Sequence, residues 1–161
     1  MKKKIHIYTD GSSKGNPGIG GYGVFIEIFY KNYYKKIIIS EGFRFTTNNR
    51  MELLAVIIGL EKIKKKNIIV FTDSKYIVNT IQKGWIYKWK KDNFLNKKNV
   101  DLWKRLLNVF DKRFIFFHWI KSHNNHYIND YCDRLSIAAS KNILLKIDYT
   151  YEKQNYKDKN I

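Results

Sequence analysis

The chain has little cysteine, little acid and no long apolar run. Cys132 is its only cysteine, so no intramolecular disulfide can form. A reducing compartment, the cytoplasm, is the expected setting. Nothing approaches the roughly 18 consecutive apolar residues of a transmembrane helix, so no membrane span and no membrane partner are expected. Met1-Lys2-Lys3-Lys4 has the basic start of a signal peptide, but a short strand pattern follows in place of an apolar h-region and cleavage site, so no leader is expected. There are no repeats and no linker that would split the 161 residues, which suits one domain with a sizeable core. The shortage of acid is the most informative. Only 14 Asp and Glu stand against 31 Lys and Arg, a net charge of +17. Such a chain repels itself, and a polyanion is its natural partner. Nucleic acid leads, because phosphate neutralisation drives binding whatever the base sequence. An anionic membrane surface is the rival, and a coding bias towards Lys, Ile, Asn and Tyr accounts for part of the charge. A hydrophobic content of 44% excludes a disordered chain.

Hydrophobic patterning orders the chain. Residues 4–11 alternate and read as a strand that ends in Asp10-Gly11. Gly18, Gly20, Gly21 and Gly23 read as a flexible turn into a second strand over 22–30. Lys31-Asn32 makes a tight turn into a third strand over 33–43, and strands joined so closely are antiparallel. Thr46-Thr47-Asn48-Asn49 is rich in capping residues, and 50–65 reads as a mostly buried helix. A short apolar run, 68–71, has the character of a buried parallel strand and leads into Thr72-Asp73-Ser74. A short helix over 75–82, a Trp- and Lys-rich segment over 85–98, an amphipathic stretch over 101–111, a strand over 113–119, a polar loop over 121–129 and a last helix over 128–142 follow. The residues after Asp148 are charged, without a period, and are expected to fray. This gives a catalytic domain over 1–145 and a flexible tail over 146–161. The order implies an α/β fold: a five-stranded mixed sheet, its first three strands antiparallel, flanked by helices.

Four of the scarce acids fall where such a fold could gather them. Asp10 and Asp73 end the two most core-like strands, and residues beyond the carboxyl ends of parallel neighbours share one crevice. Glu52 opens the buried helix, and Asp133 lies on the last one. Each has an ordinary alternative. Asp10-Gly11 makes a turn. Glu52 closes a capping box with Asn49. Asp73 caps the helix that follows. Asp133 is an exposed helical charge, with Asp130 an equal acid one turn away. Taken together they suit hard divalent cations, which prefer oxygen ligands. Two such ions about 4 Å apart can activate water and stabilise the leaving oxygen of a phosphodiester.

These residues carry a family pattern. Tyr8-Thr9-Asp10-Gly11-Ser12, Gly15-Asn16-Pro17-Gly18, Gly20-Gly21-Tyr22-Gly23, Thr46-Thr47-Asn48-Asn49-Arg50-Met51-Glu52-Leu53, Thr72-Asp73-Ser74, Trp85-Ile86, Trp89-Lys90-Lys91, Lys98-Asn99-Val100-Asp101-Leu102-Trp103 and Asn129 to Cys132-Asp133 occur in order. From residue 4 to about 142 the chain resembles type 1 ribonuclease H in its bacterial form. The resemblance implies a ribonuclease H-like fold and an endonuclease that cuts the RNA strand of RNA–DNA hybrids with two Mg²⁺ ions (Mn²⁺ as a substitute), leaving 5′-phosphate and 3′-hydroxyl ends. It implies Asp10, Glu52, Asp73 and Asp133 as catalytic metal ligands, with Asp133 preferred to Asp130 because it follows Cys132 and precedes Leu135. His123 resembles the family's loop histidine, which serves proton transfer or product release. Gly11, Ser12, Ser13, Asn16, Asn48 and Asn49 resemble the contacts to the RNA strand, whose 2′-hydroxyl distinguishes it from DNA. Thr47 and Asn99 resemble a phosphate pocket for the DNA strand. Trp85 and Trp89, four apart and so on one helix face, resemble with Lys88, Lys90 and Lys91 the basic protrusion that receives the DNA backbone. Ordinary core packing is the alternative for one of these tryptophans. A monomer is expected.

Some positions depart from the family. Phe45 stands where many relatives carry an Arg of the phosphate pocket, and Arg44 is one residue off, which in an extended segment reverses its face. Lys75 replaces an uncharged residue. Ser122 and Asn125 stand where Gly is frequent beside the loop histidine, and the stretch between Asn93 and Asn99 is short. A non-catalytic nucleic-acid-binding module would be expected to lack an acid, and all four are present. Other two-metal nucleases of the superfamily generally lack the Thr-Thr-Asn-Asn-Arg-Met-Glu run and the Trp/Lys protrusion.

Overall fold

A computed structural model describes residues 4–64, 67–110, 113–121 and 126–158. In chain order the elements are β1 (Lys4–Gly15), β2 (Gly18–Tyr30), β3 (Tyr33–Thr46), α1 (Asn48–Lys62), β4 (Asn67–Thr72), α2 (Lys75–Gln82), α3 (Trp85–Lys91), α4 (Val100–Phe110), β5 (Phe114–Trp119), α5 (Tyr127–Ser140) and α6 (Tyr149–Asp158). The strands form one five-stranded sheet in the order β3-β2-β1-β4-β5. The β1–β2 and β2–β3 pairs are antiparallel, and β1–β4 and β4–β5 are parallel. This is the expected α/β architecture, with β1 at its centre.

Period-two alternation divides the sheet into two faces. Ile5 and Ile7 of β1, Val24, Ile26 and Ile28 of β2, and Ile68 and Val70 of β4 are buried on one of them. Against it lies α1, which buries Met51, Leu53, Leu54, Val56, Ile57 and Leu60. A helix apolar nearly all round needs cover on its far side too. That cover includes α4, whose Trp103 is fully buried and donates its indole N–H to Tyr76 Oη at 3.0 Å. The opposite face is partly covered by α5.

The expected glycine turn is smaller than the sequence suggested. Gly18, Gly20, Gly21 and Gly23 are strand residues of β2, and the turn shrinks to Asn16-Pro17. A Cβ on Gly23 would lie 2.4 Å from the Cys132 carbonyl oxygen, and one on Gly21 2.5 Å from that of Ser136. These glycines let α5 lie directly on the sheet.

The segment expected to fray is instead helical and docked. Lys146 bridges to Phe43 of β3, and α6 follows. Asp148 accepts from Arg50 Nε at 2.7 Å, and Arg44 donates to Glu152 from Nη2 at 2.7 Å. No apolar period announces this helix, because partners about a hundred residues away in sequence hold it. No helix among the described residues is long and apolar enough to cross a membrane.

Candidate active site

Three of the acids meet at one end of the sheet. Oxygens of Asp10, Glu52 and Asp73 all lie within 4.8 Å of one another. Register brings the first and third together. β1 and β4 run parallel with Tyr8 opposite Phe71, so Asp10 and Asp73, each two residues further on, emerge side by side. Gly11 brings in the second. A Cβ there would fall 2.2 Å from the Glu52 backbone nitrogen, so β1 touches the backbone of α1 at the residue that carries the carboxylate. The capping-box alternative fails. The N-cap of α1 is Thr47, whose hydroxyl accepts from Arg50 N at 3.3 Å, which places Glu52 beyond the first three helical positions. Ser74, not Asp73, stands at the N-cap position of α2, with no side-chain bond into the helix.

Asp133 on α5 stands outside this group of three but acts on it. Burial above all, then the charge of Asp73, with those of Asp133 and Glu52 adding, push the Asp10 carboxyl up to about 8, against a bond from Gly11 N at 2.8 Å that favours the charged form. Asp130 is not among the groups acting on Asp10. Burial, with Asp73 adding, also raises Glu52, opposed by the Asn48 amide that donates to it at 2.9 Å. Crowded carboxylates at low solvent exposure resist ionisation unless positive charge arrives. All donors are oxygen, and Asp10 is only 7% exposed, so the set fits hard divalent cations such as Mg²⁺.

The residues expected near the RNA strand surround the acids. Asn16 Oδ1 accepts from Asn48 N at 3.2 Å, tying the β1–β2 turn to the start of α1, and Asn49 is exposed beside it. Ser12 Oγ accepts from Ser136 Oγ at 2.8 Å, and the Ser13 hydroxyl is buried without a hydrogen-bond partner. His123 lies outside the described residues, as do Ser122 and Asn125.

Thr47 and Asn99 are drawn together by Arg50, a residue the sequence reading assigned no role. Arg50 N donates to Thr47, and its Nη1 donates to Asn99 Oδ1 at 3.4 Å. The guanidinium, 2% exposed, forks onto Asp101 at 2.9 and 2.7 Å and onto Asp148 at 2.7 and 2.9 Å. Burial acts to raise the Asp101 carboxyl, but the Arg50 bonds outweigh it and hold it below its ordinary value. One signal was legible: an Arg inside a buried apolar helix needs carboxylate partners. Arg44, the displaced basic residue, is turned onto Glu152, and Phe45 packs on the Tyr151 ring with centroids 5.7 Å apart.

The residues expected to form the protrusion lie on α3 and the turn after it. Trp85 is exposed at 36%, under Lys83 Nζ. Trp89 is half-buried, edge-on to Trp103 at 5.6 Å, with Lys97 Nζ 5.2 Å from its ring centre. Core packing therefore claims one of the two tryptophans in part. Lys88, Lys90 and Lys91 are exposed. The short connection holds Asn93, Phe94, Asn96 and Asn99 at positive φ between 49° and 58°; Asn tolerates that conformation best after Gly. Lys75 packs its ammonium 4.8 Å from the centre of the Trp119 ring.

The RNase H family pattern matches residues 2–141. The ribonuclease H of Desulforamulus reducens is 49% identical over 152 residues, covering 91% of this chain and 93% of that protein. That of Wigglesworthia glossinidia brevipalpis is 48% identical over 159 residues, covering 95% and 98%. Among solved structures, a type 1 RNase H with the type 2 active-site motif superposes with a TM-score of 0.75 at 26% identity, over 84% of this chain and 71% of that one. A second RNase H, solved in complex with an RNA/DNA hybrid, has a TM-score of 0.63 at 26% identity, over 84% and 96%. With this sheet order and these acids at its end, the chain belongs to the ribonuclease H family.

Proposed function

We propose that this chain is an endonuclease that hydrolyses the RNA strand of RNA–DNA hybrids, leaving 5′-phosphate and 3′-hydroxyl ends, and that it works as a cytoplasmic monomer. The observation that carries the reading is the convergence of Asp10, Glu52 and Asp73 within 4.8 Å at the end of the central strands, in a chain of this family. Asp10, Glu52, Asp73 and Asp133 would hold two Mg²⁺ ions, or Mn²⁺ in their place. Bound there, such ions supply an activated water and stabilise the leaving oxygen.

The chain's own residues select and orient the substrate. Asn16 and Asn48, linked to each other and to Glu52, stand where polar groups can test the 2′-hydroxyl. The backbone from Gly11 to Ser13 offers close approach, with Asn49 at its rim. Thr47 and Asn99, joined through Arg50, form a neutral pocket for a DNA-strand phosphate. It carries no free guanidinium of its own, since Arg44 is bound by Glu152. Exposed Lys88, Lys90 and Lys91 with Trp85 and the rim of Trp89 grip the DNA backbone further out. His123 serves proton movement or product release at the acids. Incubation of the full chain with labelled RNA–DNA hybrid and Mg²⁺ should shorten the RNA and leave the DNA whole; intact RNA after long incubation would sink the reading. Asp10→Asn should abolish cleavage and spare hybrid binding, and surviving cleavage would remove Asp10 from the metal site.

A further inference from the structure

The sheet face that carries α5 is only half covered. Gly21, Gly23 and Gly42 bring α5 onto the end nearest the acids, where a Cβ on Gly42 would meet Ala139 O at 2.1 Å. Towards the other end the same face is open and lined with rings. Tyr34, Phe29, His6, Phe71 and His118 come one from each strand in sheet order, β3, β2, β1, β4 and β5. Their centroids follow at 5.2, 5.5, 5.3 and 5.3 Å. Beside the row on the edge strand, Phe114 and Phe116 are each 64% exposed, a large apolar area for a solvent-facing strand. The proposed hybrid cleavage gives these residues no role; the row crosses β1 at His6, about 13 Å along the strand from Asp10 at roughly 3.3 Å per residue, and comes nearest the acids at Phe71, two residues before Asp73.

We infer that this open half of the sheet is a second nucleic-acid site, a stacking platform for single-stranded polynucleotide. Rings on neighbouring strands of an open sheet can stack successive unpaired bases. A duplex hides its base faces and cannot use them. Charge favours the same partner. Lys4 and Lys36 are exposed on this face, on β1 and β3, in a chain of net charge +17. The acid among the rings, Glu27, accepts from Tyr34 Oη at 2.9 Å and lies 3.9 Å from His6 Nδ1. That engages its charge and fixes the Tyr34 ring. Docking a second copy would bring two strongly positive chains together, and an acidic protein would leave the ring row without stacking partners. A groove continues the platform between Tyr34, Lys36 and Ile38 and the start of α5 at Tyr127 and Ile128, giving a strand a path off the sheet.

The test uses the full chain with EDTA, so that no RNA is cut, and fluorescently labelled oligo(dT) and oligo(U) read by anisotropy. Base–ring stacking of the usual size predicts that Phe116→Ala and Tyr34→Ala each weaken oligonucleotide affinity about 5- to 150-fold, while Phe116→Tyr keeps it. Lys36→Gln, which leaves every ring in place, should lower affinity and flatten its salt dependence. Blunt-ended hybrid should be cut at the unchanged rate by all four variants in Mg²⁺. The two probes tell whether DNA, RNA or either is held. Unchanged oligonucleotide affinity in both alanine variants overturns the inference. So does a wild-type dimer in sedimentation that Phe116→Ala converts to monomer, which would make the face a self-association surface. Binding in EDTA does not depend on hybrid cleavage, so this inference and the proposed activity can fail separately.

Discussion

Asp10 should make the metal-free protein less stable as pH rises through neutrality, and Asp10→Asn should remove that dependence. Its folded-state pKa is about 8 against an ordinary 3.8. Between those values the folded chain holds a proton that the unfolded chain has released. Stability then falls with rising pH, by up to about 1.4 kcal/mol per pH unit. From pH 5 to pH 7 the ceiling is about 2.7 kcal/mol by that slope. The carboxylates share the charge, so about 1–2.5 kcal/mol over that interval is the working expectation. In EDTA the stability of Asp10→Asn over wild type should grow by that amount between pH 5 and pH 7, a relative Tm rise of about 2–4 °C per kcal/mol for a domain of this size. The gap should close as pH falls below about 3.8, where Asp10 is protonated in the unfolded chain as well as in the folded one. Burial lowers the pKa of His6, which gives the opposite slope as pH falls below about 6.5. Both proteins carry it, so the difference between them isolates Asp10. Mg²⁺ should stabilise wild type more than the variant, because an ion that binds only the folded state adds to its stability. Urea melts at several pH values in EDTA and in Mg²⁺ provide the measurement. Equal pH slopes for the two proteins between pH 5 and 7 would refute the crowded-carboxylate argument.

Asp148→Asn should cost about 2–4 kcal/mol in urea unfolding, because it strips a charged partner from an Arg that is 2% exposed, and amide exchange in α6 should speed up. Gly23→Ala should cost at least about 1–3 kcal/mol, since its Cβ would sit 2.4 Å from the Cys132 carbonyl oxygen. It should also slow hybrid cleavage by moving the α5 turn that carries Asp133, as initial rates would show. Cys132 is fully buried, burial pushes its thiol pKa up, and its Sγ donates to Tyr8 O at 3.5 Å. A thiol reagent followed by absorbance should therefore react only after denaturant is added. Hybrid affinity should fall steeply with salt; a flat response would make the positive charge a matter of composition.

What was legible in the sequence was local. Alternation in 4–11 and the apolar run 68–71 gave the central strands, and acids at their ends gave the crevice, because strand periodicity and chain reversal are properties of a few neighbouring residues. What was not legible depended on partners far away in the chain. Gly21 and Gly23 looked like a turn because nothing beside them in sequence reveals a helix more than a hundred residues later. Trp85 and Trp89 looked equivalent, and only the position of Trp103 separates an exposed ring from a half-buried one. The stretch after Asp148 has no apolar period because ion pairs to Arg44 and Arg50 hold it, and the pattern of hydrophobicity does not record charge partners.

Arg50 shows why the motif around it is so compact. In α1 it sits two residues before Glu52, so the turn that aims the Glu52 carboxylate also carries a guanidinium fork. Through Asp101 that fork fixes the start of α4, through Asp148 it fixes the approach to α6, and it reaches Asn99, while the Arg50 backbone N–H donates to Thr47. A lysine would keep the charge but lose the planar fork that satisfies two carboxylates at once. Placing the fork and the carboxylate on one rigid helical turn means that Asn99, Asp101 and Asp148 on one side and Glu52 on the other cannot drift relative to each other. With Thr47 and Asn99 on the DNA strand as proposed, that coupling would tie recognition of one strand to cutting of the other.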